Sequence, residues 1–279
     1  MDVYIEVSLD RGTGECGRTT ERWFTCALDM LFSGLLRSRT DWYAAINREE
    51  SSPAERFYGQ RRGLEDFMES VRAGSCYGHL GFSEEDCRLG YIETSSALME
   101  GMSTLNTVGL PATPSDFSDP GFCSGIVNFL LTALNGANPT FGRVDIGQFT
   151  ERTNLDVALR RKVTKSMSSG RGTLRGYAWV TIVPQELIER LGGWEELESG
   201  DAFFKVFPLP GGGAILQASE TMSGYTDEAM WHIFKTLAPV LPTGMPEYHA
   251  ASQKTVSPHM TPENSSSKPL ESRKGAPAY

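Results

Sequence analysis

The chain has little of what catalysis or metal binding requires. Its 279 residues include four histidines, and two of them, His249 and His259, lie near the C-terminus. A zinc site takes four ligands, usually as close pairs, whereas Cys76, His79 and Cys87 supply only three in one region. We therefore expect no metal site, no cofactor and no catalytic residue.

The cysteines and the apolar segments argue against a secreted or membrane-spanning protein. Five cysteines are an odd number and include no C-x-x-C pair, which is typical of reduced, buried thiols. The N-terminal residues lack the basic start and the apolar stretch of a signal peptide. The longest apolar stretch, residues 26–36, contains Asp29 and is shorter than the roughly 20 residues that cross a membrane. We expect a cytoplasmic protein that does not contact a membrane.

Positive charge is also scarce. The chain has 26 Lys and Arg against 35 Asp and Glu, a formal net charge of −9. A nucleic-acid-binding protein needs cations to displace the counterions of phosphates, so we expect no direct nucleic-acid binding. An acidic protein is suited to partners with basic surfaces, because complementary fields accelerate and orient their encounter. The alternative is that the charge serves solubility alone.

Apolar periodicity predicts strands and helices in mixed order. Val3, Ile5, Val7 and Leu9 alternate with polar residues, which indicates a half-buried strand. A helix capped by Thr19 or Thr20 is expected to follow. Further segments have strand or helix character: strands at 91–98, 103–110, 141–146, 177–183, 203–207 and 214–218, and helices at 63–71, at 123–134, after Pro184 and after Thr226. The predicted fold is α+β, with a mixed or antiparallel sheet and helices packed on one face.

The composition changes near residue 245. Residues 245–279 contain five prolines, many serines and few large apolar side chains, so they cannot bury enough surface to fold. We predict one α+β domain at 1–244 and a disordered tail at 245–279.

Two segments resemble parts of enzyme active sites. Gly12-x-Gly14-x-x-Gly17 lies between a predicted strand and a predicted helix, as a dinucleotide-binding fingerprint does. Cys123, in the sequence Gly-Phe-Cys-Ser-Gly, has the surroundings of a nucleophile elbow, although Ser-Asp-Pro precedes it where an elbow needs a strand. The alternative function is therefore a small cytosolic enzyme that uses residues 12–17 or Cys123. The simpler interpretations are a glycine turn and a packed thiol.

Carboxylates are concentrated in two short segments. We predict that these residues contact a partner: Glu84, Glu85, Asp86, Glu195, Glu196, Glu198 and Asp201. Adjacent carboxylates on a surface turn also occur simply as solvated charge, and this alternative stays open.

A stretch near the C-terminal end of the predicted domain resembles a known family. Residues 176–193 read GYAWVTIVPQELIERLGG, and residues 203–218 read FFKVFPLPGGGAILQA. They combine an aromatic-bearing strand, a short helix ending in Leu-Gly-Gly, and a hairpin with a proline-and-glycine tip. This combination is similar to immunity proteins of bacterial polymorphic toxin and type VI secretion systems, and most of all to immunity protein family 52. The long tail and the insertion-like region 41–120 depart from that family.

The resemblance implies a function without catalysis. Such proteins bind a toxin made by the same cell or by a sibling cell and neutralise it through protein–protein contact. For family 52 the implied toxin is a nuclease of restriction-endonuclease fold, whose DNA groove is basic. An inhibitor of charge −9 agrees with that partner. A third possibility is an adaptor protein unrelated to toxins.

Overall fold

A computed structural model shows an α+β fold, as predicted. The structure describes these residues: 2–10, 14–37, 41–47, 55–58, 61–73, 77–84, 87–96, 103–147 and 151–244. The predicted disordered tail, 245–279, lies outside them.

One antiparallel sheet organises the described residues. Its ten strands lie in the order β3-β2-β4-β5-β6-β1-β7-β8-β10-β9, so the N-terminal strand is central. The strands are β1 (Asp2–Asp10), β2 (Asp41–Asn47), β3 (Glu55–Tyr58), β4 (Tyr77–Glu84), β5 (Cys87–Ser95), β6 (Ser103–Pro111), β7 (Phe141–Ile146), β8 (Val180–Val183), β9 (Lys205–Pro208) and β10 (Ala214–Gln217). The region 41–120, predicted to resemble an insertion, supplies five of these strands and is part of the main sheet.

Several helices begin where a side chain accepts hydrogen bonds from free backbone N–H groups. The Asp119 carboxylate accepts hydrogen bonds from the N–H groups of Gly121 and Phe122, and Thr226 accepts one from Ala229, as predicted for that cap. The helices are α1 (Gly14–Cys26), α2 (Ser33–Arg37), α3 (Arg61–Arg72), α4 (Pro120–Ala133), α5 (Asn154–Ala158), α6 (Val163–Ser168), α7 (Gln185–Arg190), α8 (Trp194–Ser199) and α9 (Asp227–Leu237). A single π-helical turn, Ala27–Leu31, continues α1.

The start predicted for the first helix was wrong. Thr19 and Thr20 lie inside α1 and are buried, since the helix already begins at Gly14. The side chain of Thr20 forms a hydrogen bond with Asn106 of β6 instead of capping the helix. From the sequence alone, a threonine inside a helix is easily taken for a helix cap when its hydrogen-bond partner lies far away in the chain.

The apolar face of the sheet packs against α1, α3 and α4. Trp23 and Phe129 meet edge to face at 4.8 Å between ring centroids, and Phe24 meets Phe67 at 5.5 Å. Val3, Ile5 and Val7 of β1 are buried in the same core. Aromatic pairs in these orientations stabilise a core beyond the area that they bury.

The second face of β1 is buried too, which corrects the prediction of a half-buried strand. Tyr4, Glu6 and Ser8 are all buried. Residues 151–178, which include α5 and α6, lie over them; Met167 of α6, for example, packs against Leu105 of β6. The polar residues of β1 do share one face, as the alternation predicts, but residues 151–178 cover that face.

Two glycines let tyrosine rings lie close to this second face. Gly81 is opposite Tyr43 in the β2–β4 ladder, and Gly109 is opposite Tyr91 in the β5–β6 ladder. A Cβ atom at Gly109 would overlap the Tyr91 ring, and one at Gly81 would overlap the Tyr43 ring. Glycine in a strand often marks such a close approach.

We predict that Gly109→Ala destabilises the protein by about 1–3 kcal/mol, because the added methyl group displaces the Tyr91 ring from a filled site. Urea unfolding measures the change. The control is Gly125→Ala in α4, where nothing lies within 4 Å of the added Cβ; there a gain of up to about 1 kcal/mol is expected, since alanine favours helix. Equal effects at both positions would contradict this account.

Candidate functional site

The second acidic segment forms an exposed surface, which we call the α8 surface. Gly192 and Gly193, at φ of 95° and 97°, occupy the left-handed region and turn the chain from α7 into α8. Leu197 is buried and anchors the helix. The predicted partner-binding residues of this segment are exposed: Glu195, Glu196, Glu198 and Asp201.

Aromatic side chains accompany these carboxylates. Trp194, the first residue of α8, is 36% exposed, and Phe204, just before β9, is 54% exposed. Helix α8 packs beside β9, the last strand of the sheet. His232 of α9 lies 3.9 Å from Asp201. The α8 surface therefore comprises Trp194, Glu195, Glu196, Glu198, Asp201 and Phe204.

The first acidic segment is only partly described. Glu84 ends β4, but its side chain lies outside the described part of the chain, as do Glu85 and Asp86. Their predicted contact with a partner stays a prediction.

The glycines of the fingerprint-like segment have a different setting from the one that the motif needs. Gly14 and Gly17 lie within α1, and Gly12 lies outside the described residues. The preceding strand, β1, pairs antiparallel with both neighbours, whereas the dinucleotide fingerprint follows a parallel strand at a switch point of the sheet.

Cys123 is a packed thiol in α4. Its side chain is fully buried, with Sγ 3.9 Å from the carbonyl oxygens of Asp116 and Phe117. Burial raises the pKa of this thiol. A nucleophilic cysteine needs the opposite, a lowered pKa and access for a substrate.

The structure reveals a feature that the sequence analysis did not identify: a polar row across the second face of the sheet. Each residue of this row lies directly opposite the next in the strand pairing. The row runs through Thr181, Arg143, Glu6, Thr107, Glu93 and His79. Five strand-to-strand steps thus connect Thr181 at one end with His79 at the other, and the row includes the ion pair of Arg143 and Glu6.

Glu6 and Arg143 form the buried end of the row. Arg143 Nη2 lies 3.1 Å from Glu6 Oε2 and donates to the hydroxyl of Tyr4 at 3.0 Å, while its guanidinium lies 5.2 Å from the centre of the Tyr4 ring. Burial opposes the charge of Arg143, but Glu6, Tyr4 and Asp145 together outweigh it and raise the pKa of Arg143. This arginine stays charged inside the protein.

Arg175 connects the row to the segment above it. Its guanidinium lies 3.5 Å from Glu6 and 3.4 Å from Asp156 of α5, and it donates to the carbonyl oxygen of Glu151 at 2.8 Å. Thr153 caps α5, and its hydroxyl donates to the carbonyl oxygen of Arg175 at 2.7 Å. These contacts fix residues 151–178 over β1.

The other end of the row is more open. His79 Nδ1 lies 2.9 Å from Glu93 Oε2, and His79 Nε2 lies 2.8 Å from the hydroxyl of Tyr43. Because a carboxylate only accepts, Nδ1 carries the proton, and Nε2 of a neutral ring accepts from Tyr43. Tyr77 also donates to Glu93 Oε2, at 3.3 Å.

The rings at this end are nearly parallel. His79 stacks against Tyr77, Tyr91 and Tyr43 with interplanar angles of 8°, 14° and 29°. Tyr43 is 43% exposed, and the Glu93 side chain is 23% exposed. We call these five residues, Tyr43, Tyr77, His79, Tyr91 and Glu93, the tyrosine surface. Its stacked rings and fixed carboxylate are suited to holding a planar or cationic group.

Negative charge accumulates around this surface. Burial, followed by the charges of Glu6 and Glu93, raises the pKa of the half-buried Glu151. Burial and the nearby Glu93 raise the pKa of Tyr77, so its hydroxyl stays protonated. Within the described residues, no group of three or more His, Cys, Asp and Glu side chains is arranged to hold a metal ion.

Comparisons with known proteins give one distant structural neighbour. No protein-family model matches the chain, and no curated protein matches it. Among solved structures, the chain is similar to T6SS protein PA0821 of Pseudomonas aeruginosa, with a TM-score of 0.49 and 11% identity over 91% of this chain and 78% of that chain. A similarity at this level does not define what the chain binds. In the described part of the chain, every helix falls short of the length and apolar character needed to cross a membrane.

We predict that Arg175→Met destabilises the protein by roughly 3–5 kcal/mol, because it leaves the buried carboxylates of Glu6 and Asp156 without one of their cations. Denaturant unfolding provides the measurement. Arg18→Met at an exposed position of α1 is the control and should change stability by less than about 0.5 kcal/mol. A similarly small effect of Arg175→Met would contradict the proposed role.

Glu151→Gln should stabilise the protein at neutral pH. A carboxyl group whose pKa is raised by folding favours the folded state below its ordinary pKa, and this contribution is lost as pH rises through the raised value. The neutral amide avoids that loss, with a gain below about 1 kcal/mol because solvent screens a half-exposed group. Thermal unfolding at pH 7 and pH 3.5 checks the sign, since the gain should vanish at the lower pH. Destabilisation at pH 7 would refute it.

Proposed function

We propose that this protein binds a toxin and neutralises it, as bacterial immunity proteins do, and that the α8 surface contacts the toxin. The observation that carries the proposal is the combination of two exposed aromatic rings, Trp194 and Phe204, with exposed carboxylates on and after one short helix. Tryptophan commonly anchors protein–protein interfaces, and surrounding charges select and orient the partner.

The family resemblance supports the proposed function and concerns the chain on both sides of the α8 surface. The segments that carry it, residues 176–193 and 203–218, form β8, α7 and the hairpin of β9 and β10 in the structure. Their strands pair side by side, since β10 lies between β8 and β9. Helix α8 lies between these two segments in the chain, so its exposed residues are next to the part that resembles immunity proteins, and their assignment as contacts rests on their charge.

The charge balance supports a basic partner. The net charge of −9 gives the whole molecule a negative field, and the α8 surface places four carboxylates in solvent. A toxin that cleaves nucleic acid presents a basic groove to its substrate. We propose such a nuclease as the partner, with the acidic surface occupying or covering that groove.

Co-expression tests the proposal. The toxin encoded beside this gene should kill host cells when expressed alone and should not kill them when this protein is present. Purified protein should bind that toxin with a 1:1 stoichiometry in calorimetry. Equal killing with and without this protein would refute the proposed function.

Neutralising the α8 surface should weaken the complex. The triple variant Glu195→Gln, Glu196→Gln, Glu198→Gln should bind the toxin at least tenfold more weakly, and Trp194→Ala should do the same, a change of about 1.4 kcal/mol each. The control neutralises three exposed carboxylates of α3, as Glu65→Gln, Asp66→Asn and Glu69→Gln, and changes net charge equally. Equal weakening by both triple variants would assign the effect to net charge and would exclude the α8 surface as the contact.

A further inference from the structure

The same three residues occur twice on the second face of the sheet, and among the described residues an arginine contacts the glutamate of only one copy. Tyr4-Ile5-Glu6 in β1 and Tyr91-Ile92-Glu93 in β5 flank strand β6 on opposite sides. Their register is equivalent: Gly109 of β6 lies opposite both tyrosines, and Thr107 lies opposite both glutamates.

In the first copy, an arginine of the protein completes the arrangement. The guanidinium of Arg143, on the next strand, lies over the Tyr4 ring and 3.1 Å from Glu6. A guanidinium suits this geometry because it stacks on an aromatic face and donates to a carboxylate with the same planar group. The molecule thus contains one filled example of the site.

In the second copy, the position that corresponds to Arg143 is held by His79. His79 is the residue opposite Glu93 on the outer strand, as Arg143 is opposite Glu6. His79 reaches Glu93 through the single donor Nδ1, and within the described residues no lysine or arginine side chain contacts Glu93. Both hydrogen bonds described for Glu93 go to Oε2, so Oε1 remains for a donor from outside these residues.

An unpartnered hydroxyl lies next to the same place. Thr107, which lies between Glu6 and Glu93, is buried, and its hydroxyl has no hydrogen-bond partner among the described residues. A buried hydroxyl without a partner costs free energy, and a bound water molecule or ion satisfies such a group. Tyr43, at 43% exposure, gives a partner access to this part of the sheet.

We propose that the tyrosine surface binds the guanidinium of an arginine side chain presented by a partner protein. The guanidinium stacks on the exposed Tyr43 ring and donates to Glu93 Oε1, and the charge of Glu151 adds to the attraction. This site lies apart from the α8 surface, and it requires a protein partner with an exposed arginine, whether or not that partner is a toxin.

The probe is the peptide Ac-Gly-Gly-Arg-Gly-Gly-NH2, titrated into the full chain and followed by NMR of the tyrosine and histidine ring protons. We expect millimolar affinity, with shifts at Tyr43 and His79. A peptide with citrulline in place of arginine has the same shape without the charge and should bind at least tenfold more weakly. Equal binding of the two peptides, or shifts confined to other residues, would overturn the proposal.

Variants separate binding from folding. Glu93→Gln should weaken binding of the arginine peptide at least tenfold, and Tyr43→Leu roughly threefold to tenfold, whereas Tyr43→Phe keeps the ring and should bind within about twofold of the wild type. Glu228→Gln, at an exposed position of α9, is the charge control and should leave binding unchanged. Unchanged binding by Glu93→Gln would overturn the assignment.

Free arginine amide distinguishes a protein partner from a small metabolite. If the natural partner is a protein, the peptide should bind at least as tightly as arginine amide. Tighter binding of the free amino-acid derivative would assign the surface to a small organic cation and would exclude the partner arginine. None of these measurements involves the toxin or the α8 surface, so their failure leaves the proposed function standing.

Discussion

The contact of Glu6 with Arg143 and Arg175 is the interaction on which the arrangement of the second sheet face depends. It places a carboxylate in the middle of the central strand and balances its charge with two guanidinium groups. Breaking such a buried pair costs more than its formation contributes, because the remaining charge stays out of water. The cluster therefore fixes one position for residues 151–178 and covers the face around β1, whereas Tyr43 and Glu93 of the tyrosine surface remain partly exposed.

Local patterns predicted much of the fold. The strand at 141–146 and the Thr226 cap agree with the structure, because both depend on residues close together in the chain. The burial of Glu6 could not be predicted in this way, since its partner Arg143 lies 137 residues away. Without knowledge of that pairing, the alternation in β1 predicts a strand with one face exposed to solvent. The helix cap predicted at Thr20 was wrong for the same reason, because the hydrogen-bond partner of Thr20, Asn106, lies 86 residues away.

The two candidate surfaces differ in the same way: one consists of residues close together in the sequence, and the other consists of residues that only the fold brings together. The carboxylates of α8 are adjacent in the sequence, so charge alone identified them. The tyrosine surface takes its residues from three strands, and only the register of the sheet brings Tyr43, Tyr77 and Tyr91 together. The repeated Tyr-Ile-Glu was visible in the sequence. The structural equivalence of the two triplets was not visible, because it depends on the strand that lies between them, β6.

The length and twist of the sheet determine how partners can be accommodated. Six strand-to-strand steps separate β5 from β9, which corresponds to roughly 29 Å at the usual spacing. A twist of about 20–25° per step turns the sheet through roughly 120–150° over that distance. The tyrosine surface, on β2, β4 and β5, and the α8 surface, beside β9, therefore lie far apart along the sheet. A compact protein seated on one leaves the other in solvent, so this geometry allows a ternary assembly in which two different molecules occupy the protein at the same time.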